Sequence, residues 1–581
     1  MHSGPVATAD RSRRRPAGDA AGHMMTRTTH TDVQHADVRH PEPAPSGRRP
    51  APAARVRPWL VRLLVALLLA QTALAAVTAA VQQTPTVDEP VYVATAADYL
   101  HEHRIRYNPE HPPLGKLVVA VGVALADPHV DPRFTGDQTA AGRHLLYESG
   151  NDPWRLMLWA RLPVIVLTLL FGLVVFAFAR DLAGPVPALA ALALYAFSPD
   201  VIAHGSLATL DVPTAGFLLT SAWLLWRARR SQRARLYLPL AGAALGAALA
   251  TKMSALPAVP VYVALAAWSV GPRKARRALA AAAGVAVTAV AVVWVTYLVV
   301  DPRLRWDPRQ THVPAVHGLR GLLVRLLPLP EAYRDGMRMQ FGLENQSWSG
   351  FLFGHVYSGS RWYYLPVALV VKTPLGMLAL WAAGAVALVA VRRLRPAAPY
   401  VLVPAAVLLA SAMTGSRNFG TRYAVFLPMF LAVAGGCVLA VRRRWRRAVT
   451  WALVAFVAVS SLRTFPFYLP YSNEAFGGPA KTHLRLHDSN VDWGQDLGRL
   501  AVRLHGRYAG ERIWLVYKGS GVPSWYGIHS SDPRRAPLRT VHGVVAVSDS
   551  AAARARGRLA RLIRSSHEVD EVGHSITIYQ R

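Results

Sequence analysis

Long apolar runs separated by short polar segments dominate the sequence from residue 59 to residue 468. A run of about 20 apolar residues is long enough to cross a bilayer as a helix. On this rule the pattern predicts eleven membrane spans, at 59–81, 154–179, 184–201, 206–226, 237–251, 255–270, 278–300, 362–391, 399–415, 421–441 and 447–468. Residues 59–468 are therefore expected to form an all-α polytopic membrane domain.

Arginine-rich connectors between the apolar runs predict the orientation of the chain. They are RARRSQRAR at 227–235, GPRKARR at 271–277, RRLRP at 392–396 and RRRWRR at 442–447. Positively charged loops remain on the cytoplasmic side, and eleven spans with a cytoplasmic N-terminus place all four there. A further span at the short apolar segment 114–126 would move 227–235 to the outside. We therefore expect a helix over 114–126 that lies on, or dips into, the outer face.

With a cytoplasmic N-terminus, the same eleven spans assign residues 82–153, residues 301–361 and everything after 469 to the outside. The C-terminal segment 469–581 alternates strand-like stretches (ERIWLVYKGS, VHGVVAVSDS, SITIYQ) with amphipathic helical ones (DLGRLAVRLHG, AAARARGRLARLIR). This alternation predicts a small extracytoplasmic α/β domain. Residues 1–58 are rich in Pro, Ala and Arg without periodicity, which predicts a disordered cytoplasmic tail.

Composition narrows the possible partners. The chain is 52% hydrophobic and 17% charged, with a formal net charge of +32. So high a positive charge would suggest a nucleic-acid partner. The arginines, however, cluster in short loops between apolar runs, where positive charge reflects membrane topology. No nucleic-acid partner is therefore expected. The single cysteine, Cys437, excludes an internal disulfide framework and a Cys-based metal site. No cluster has clear metal-ligand spacing, and no cofactor is expected.

An adjacent pair of acids follows the first predicted span, in PTVDEPVYVATAADYLHEHRIRYNPEHPPLGK at 85–116. Asp88 is predicted to cap a helix that begins with Glu89 and Pro90, where a carboxylate also favours the helix dipole. The same position would hold a carboxylate at the rim of a cavity, where it can accept a proton from a hydroxyl as a general base. The two interpretations are compatible.

Lysine usage singles out two further residues. The chain has only six lysines, at 116, 252, 274, 372, 481 and 518, against dozens of arginines. Lys116 and Lys252 are predicted at outer membrane ends, where an ammonium is either a phosphate partner or an interfacial anchor. His111, in HPPLGK, is either a turn residue or part of the same site.

Polar residues near the outer ends of later spans are additional candidates. Asp211, in SLATLDVPTAGF, lies within a predicted span, where an ionisable group is functional or paired. Arg417, Arg422 and Tyr423 lie together in MTGSRNFGTRYAVFLP. They would either anchor lipid headgroups or clamp a phosphate that arrives on a lipid.

Several of these pieces, in this order, resemble one family. Asp88-Glu89, HPPLGK, LDVP and TKMSAL, followed by FGHVYSGSRWYYLPVALVVKTPLG, RNFGTRYAVFLP, YSNEAFGGP and DSNVDWGQDLGRL, are similar to the glycosyltransferases (family 39) that include protein O-mannosyltransferases and bacterial lipid A aminoarabinose transferases. The resemblance covers roughly residues 59–500.

The resemblance implies a GT-C fold, in which outer juxtamembrane helices cover a cavity between bilayer and water. It also implies a polyprenyl-phosphate sugar as donor and inversion at the anomeric carbon. By position, Asp88 matches the acid proposed as catalytic base, Glu89 its companion, and Asp211 a second acid facing the cavity. Lys116 and the arginines of RNFGTRY fall where the family binds the lipid phosphate. The segment 301–361 is too short for the accessory domain of eukaryotic protein mannosyltransferases, so the acceptor hydroxyl belongs to a protein, a lipid or a polysaccharide.

Other functions are open at this point. A transporter would also use intramembrane acids and basic loops, although no internal repeat is visible. An oligosaccharide ligase or polymerase of the same fold would differ in using a diphosphate-linked donor. VDWGQD at 491–496 superficially resembles the Trp-Asp signature of oligosaccharyltransferases, but the surrounding residues do not match. A glycoside hydrolase needs its two carboxylates on opposite sides of the bond, which adjacent residues cannot provide.

The predicted topology can be tested by cysteine labelling in intact cells. Cysteine placed at Ser149, in the first outer segment, should react with a membrane-impermeant reagent, whereas cysteine at Ser231, in a cytoplasmic connector, should not. The reverse pattern would overturn the orientation.

Overall fold

The structure is a computed structural model that describes residues 57–271, 275–306, 313–441 and 444–581. The predicted tail, residues 1–58, lies outside the described residues apart from its last two. Parts of the predicted connectors 271–277 and 442–447 also lie outside them. Val56–Arg581 form one compact unit.

Helices account for most of the chain before residue 469. They are α1 (Pro58–Gln82), α2 (Glu89–His101), α3 (Leu114–Ala126), α4 (Gln138–Arg143), α5 (Pro153–Ala183), α6 (Pro185–Ala196), α7 (Pro199–Gly205), α8 (Asp211–Arg230), α9 (Ala234–Thr251), α10 (Ala258–Ser269), α11 (Ala275–Val300), α12 (Gly318–Leu326), α13 (Glu331–Glu344), α14 (Tyr364–Lys372), α15 (Leu375–Ala390), α16 (Ala398–Met413), α17 (Phe426–Gly436) and α18 (Arg444–Leu462). The largest apolar core lies among α5, α6, α8–α11 and α14–α17.

By length and apolarity alone, five of the described helices are able to cross a membrane, or seven if each of two bent pairs is one span. The count of eleven spans stays a prediction. Within the predicted span 184–201, α6 and α7 meet at a bend of 60°. Within 362–391, α14 and α15 meet at 118°, where Pro374 directly precedes α15. A proline disfavours helical geometry in the residue before it, so the apolar run continues while the helix does not.

Residues 82–153, which the sequence assigns to the outside, contain the two helices that it predicts. α2 begins directly after Asp88, and α3 covers the predicted 114–126. α3 packs closely on α5, since a Cβ at Gly122 would lie 1.9 Å from the carbonyl oxygen of Trp159. Only a glycine permits this approach.

Residues 301–361 carry α12, α13 and a short antiparallel hairpin. Its strands are β1 (Ser349–Leu352) and β2 (His355–Ser358). Phe353 and Gly354 both adopt positive φ at the turn, as a two-residue hairpin loop requires.

The C-terminal segment has the α/β composition that the sequence predicts. Its strands are β3 (Ile513–Val516), β4 (Val544–Ser548), β5 (His567–Val572) and β6 (Ile576–Gln580), and its helices are α19 (Leu497–Arg507), α20 (Asp549–Ala553) and α21 (Gly557–Arg564). The sheet order is β3-β4-β6-β5, with β3 and β4 parallel. Alternate strand residues pack on α19 at one face and on α21 at the other. The sequence analysis did not identify β5.

Candidate active site

The two adjacent acids at the start of α2 have different surroundings. The Glu89 side chain is fully buried and forms a bidentate pair with Arg161 of α5, at 2.7 and 2.8 Å. It also accepts hydrogen bonds from the backbone N–H groups of Thr86 and Ala208. Burial raises the pKa of Glu89, but the charge and hydrogen bonds of Arg161 and these two N–H groups outweigh it, so the pKa is lowered. Glu89 is therefore held as a carboxylate within the protein, and it does not line the cavity described below.

The Asp88 side chain faces away from Arg161 and towards the cavity. Its side chain makes no capping hydrogen bond to α2, so the predicted side-chain cap is wrong. Its backbone already has helical geometry, and its carboxylate accepts from Arg422 Nη1 at 2.6 Å. Glu89 instead reaches back to the N–H of Thr86, as the acid of a capping box does. The Asp88 side chain remains 30% exposed, at the cavity wall.

Arg422 lies between Asp88 and two aromatic rings. Its guanidinium carbon is 4.4 Å from the centre of the Trp493 ring and 5.0 Å from that of Tyr423. Its Nη2 donates to the Tyr423 hydroxyl at 3.2 Å. The face of an aromatic ring attracts a cation, so these rings hold the guanidinium beside Asp88.

The segment that carries Trp493 also holds the backbone before Asp88. The N–H of Val87 donates to the Trp493 carbonyl at 3.0 Å, and the N–H of Thr84 donates to the Gln495 carbonyl at 3.0 Å. From the loop after β3, the Ser520 hydroxyl donates to the Val87 carbonyl at 2.8 Å. The C-terminal segment thus contacts the residue next to Asp88 on both its N–H and its C=O.

A cavity of about 2270 Å³ opens at Asp88. Its walls come from the first outer segment, the start of α8, the α9–α10 connection, α12–α13, the α16–α17 connection and the C-terminal segment. The candidate residues that line it are Asp88, His111, Asp211, Lys252, Arg417, Arg422 and Tyr423.

Two more ion pairs lie on this wall. Lys252, directly after α9, donates to Asp211 at the start of α8 at 2.6 Å. Arg417 donates to Glu344 at 2.8 and 3.1 Å. Lys252, Arg417 and Arg422 are thus three cations of the cavity lining that are each held in place by a carboxylate.

Lys116 has a different environment from the one expected of a phosphate partner. It is fully buried, and its ammonium donates to the carbonyls of Asn108 and His111, both at 2.7 Å. Burial lowers the pKa of Lys116 to about 7, although the charge of Glu110 raises it. Lys116 fixes the turn before α3 and does not line the cavity.

His111 does line the cavity, and its ring lies edge-on to Tyr92. Burial, followed by the nearby charges of Lys252 and Lys116, lowers the pKa of His111 well below its usual value. The ring is therefore neutral near pH 7 and can donate or accept a hydrogen bond without adding charge.

Sequence reasoning missed the residues that position this site. Arg161 carried a usable signal, since an arginine inside a predicted span is expected to be paired. Trp493 and Ser520 carried none, because their partners lie more than 70 residues away in the chain. Across the described ranges, no group of three or more His, Cys, Asp or Glu side chains is arranged to hold a metal ion.

The described geometry is that of a polytopic helical protein with a large cavity, lined by both apolar and charged side chains, beside its apolar helices. Residues 64–301 match the family model described as dolichyl-phosphate-mannose-protein mannosyltransferase. This part of the membrane protein is therefore similar to that glycosyltransferase family. The matched segment contains Asp88, Glu89, Asp211 and Lys252 but ends before Arg422. A search of curated proteins finds no match to the chain.

Several solved structures are similar to this chain. ArnT from Cupriavidus metallidurans in the apo state has 16% identity and a TM-score of 0.46, over 90% of this chain and 97% of that one. The archaeal oligosaccharyltransferase AglB from Archaeoglobus fulgidus has 11% identity and a TM-score of 0.45, over 84% and 70%. The protein O-mannosyltransferase complex of S. cerevisiae bound to the sugar donor has 20% identity and a TM-score of 0.33, over 42% and 33%.

The buried pair predicts that Glu89 supports the fold. Glu89→Gln should lower the unfolding free energy by about 3–5 kcal/mol, because it leaves the Arg161 charge buried without its carboxylate. The measurement is a thermal melt of purified protein in detergent, with Glu102→Gln at the exposed end of α2 as control. If Glu89→Gln melts like the wild type but loses activity, Glu89 has a direct catalytic role.

Proposed function

We propose that this protein transfers a sugar from a polyprenyl-phosphate donor to an acceptor hydroxyl, with inversion and with Asp88 as general base. The observation that carries the proposal is the placement of Asp88 and Arg422. A partly exposed carboxylate and a cation lie in one ion pair on the wall of a large cavity, and the acid lies in the segment that matches the mannosyltransferase family.

The reaction needs a base and a cationic site close together. The acceptor oxygen attacks the anomeric carbon and gives its proton to Asp88, while the bond from that carbon to the phosphate oxygen breaks. The phosphate leaves on its lipid with the bonding electron pair. Arg422, Lys252 and Arg417 are fixed cations on the same wall and would stabilise the charge that develops there.

Donor binding would also release the base. In the structure described above, Arg422 pairs with Asp88. The donor phosphate is a diester with one negative charge, like a carboxylate, and it gains a second charge as the sugar leaves. It takes two parallel hydrogen bonds from arginine. We infer that the donor phosphate competes for Arg422 and frees Asp88 to accept the acceptor proton. Glu89 and Lys116 then support the site from behind and contact neither substrate.

The arrangement in the cell follows from the topology expected of the sequence. We propose a GT-C membrane domain at 59–468 and an extracytoplasmic α/β domain at 469–581, with the N-terminal tail in the cytoplasm. The donor would enter from the lipid of the cytoplasmic membrane and the acceptor from the outer aqueous side.

Asp88→Asn tests the base. We expect near-normal folding and transfer reduced by about 10²-fold or more, the usual scale for losing a general base. Donor affinity should be kept or increased, because the neutral amide competes less for Arg422. The assay is transfer from polyprenyl-phosphate mannose by purified protein, together with a titration of polyprenyl phosphate. Asp98→Asn, a change at a buried acid on the same helix away from the cavity, is the matched control.

Two outcomes would contradict this assignment. Transfer at the wild-type rate by Asp88→Asn would place the base elsewhere, with Asp211 as the next candidate. Failure of Asp88→Asn to fold would make the acid pair structural.

Trp493 tests whether Arg422 must be held for donor binding. Phe and Leu are similar in size, so Trp493→Phe and Trp493→Leu leave similar cavities and differ in whether a ring face remains. We expect the Leu variant to bind polyprenyl phosphate about 3- to 10-fold more weakly than the Phe variant, the scale of one cation–π contact. Equal affinities, in variants with equal melting temperatures, would show that the ring does not position Arg422.

A further inference from the structure

We propose that the C-terminal segment and α4 form the acceptor site, and that the acceptor is an uncharged saccharide chain. This inference rests on the proposed function, since it assigns the second substrate of the same cavity. The observation behind it is a wall of unpaired hydroxyl groups that faces the cavity near Asp88.

The C-terminal segment reaches the cavity at three places. They are the start of β3, the loop 519–524 and the segment 528–531. Loop 519–524 is held at Asp88 by the hydrogen bond from Ser520 to the carbonyl of Val87. A molecule bound along this wall would therefore have one end at the candidate base. On the other side, residues 137–140 and Arg143 of the first outer segment complete the wall.

Three charged groups of this wall already have protein partners, whereas Glu511 is exposed and has no ion pair among the described residues. Arg143 pairs with Glu148 at 2.8 Å. Asp137 caps α4 by accepting from two backbone N–H groups. The Arg512 guanidinium lies 4.5 Å from the centre of the Trp514 ring. With both arginines engaged, the wall offers little to an anionic acceptor.

Glu110, on the same side of the cavity, is engaged through one carboxylate oxygen, while its Oε2 is buried without a hydrogen-bond partner among the described residues. One of its carboxylate oxygens accepts from the side chains of Asn108 and Gln138, at 2.8 and 3.0 Å. These bonds tie the acid to the turn before α3 and to α4. They orient the carboxylate within its own segment.

The remaining polar side chains, four hydroxyls and one imidazole, are exposed. Among the described residues, no protein group hydrogen-bonds the side chains of Thr139, Ser524, His529, Ser530 or Ser531. A hydroxyl both donates and accepts one hydrogen bond or more, and an imidazole does so through its two nitrogens. A saccharide presents the same alternation of donors and acceptors along its length. These side chains are short, so a bulky chain can approach the backbone closely.

An aromatic ring lies next to this wall. Trp525 follows Ser524 and is 39% exposed, although it packs edge-on against Tyr147 and Tyr526. An exposed indole offers an apolar face beside polar groups. The C–H faces of sugar rings match such a surface. A peptide acceptor would instead need pockets for its apolar side chains, which the segment 528–531 with its exposed His and Ser residues does not provide.

Site-specific cross-linking identifies what binds here. The chain has one cysteine, Cys437, which is buried, so Ser530→Cys provides a single accessible thiol. The thiol is labelled with benzophenone maleimide in full-length protein in native membranes, irradiated, and the adduct is identified by mass spectrometry. His567→Cys, at the exposed start of β5 and away from the cavity, is the matched control.

We expect saccharide-containing adducts at position 530 that are at least about ten times as abundant as those at position 567. Polypeptide adducts at 530 would overturn the saccharide assignment. Equal adducts at both positions, or none at either, would overturn the site. Cross-linking needs no turnover, so its result is independent of the transfer assay. Failure of the wild-type protein in the transfer assay would contradict the proposed function and not the acceptor site.

A kinetic comparison separates this wall from the donor site. With the captured saccharide as acceptor, Ser524→Ala combined with Ser530→Ala should raise the acceptor concentration needed for half-maximal rate about 10- to 30-fold, as expected for two lost hydrogen bonds. The affinity for polyprenyl phosphate should be unchanged. An equal loss of donor affinity, or no change in the acceptor dependence, would contradict the assignment.

Discussion

The buried ion pair between Glu89 and Arg161 is the interaction on which the geometry of the site depends. Besides Glu89, Arg161 binds the carbonyls of Ala80, Gln83 and Thr84 at the end of α1. Each charge would be costly to bury without the other, so the turn from α1 to α2 has one position on α5. Everything that Asp88 can contact follows from the position of that turn.

This arrangement explains why two acids are adjacent at the start of a helix. Successive residues of an α-helix project about 100° apart. When Glu89 is directed inward to Arg161, Asp88 is directed away from α5 and towards the cavity. The pair is thus one structural carboxylate and one available carboxylate, and the second is placed by the first.

The sequence was informative where structure depends on local pattern. The helix at 114–126 and the strands β3, β4 and β6 follow from periodicity and were predicted closely. The bend before Pro374 was not predicted, because a rule based on the length of apolar runs contains no information on a change of helix direction. Rarity and expected position made Lys116 a candidate phosphate partner, and the family resemblance favoured that role. Its partners are instead carbonyls of a turn whose shape the sequence does not specify. The contact between Arg422 and Trp493 joins distant segments and leaves no local pattern.

The turn that carries Asp88 is held from two opposite sides. Arg161 binds it from the helical bundle, while the backbone of residues 493–495 and the Ser520 hydroxyl bind it from the C-terminal segment. The N–H groups of Thr84 and Val87 have their partners in that segment, and unpaired backbone groups at a site this buried are unfavourable. The bundle alone therefore leaves the turn half supported. The C-terminal segment supplies the other half from residues more than 400 positions further along the chain. The same residues bring Trp493 against Arg422. The position of the acid and the position of its cation are consequently set by one interface between the two parts of the chain.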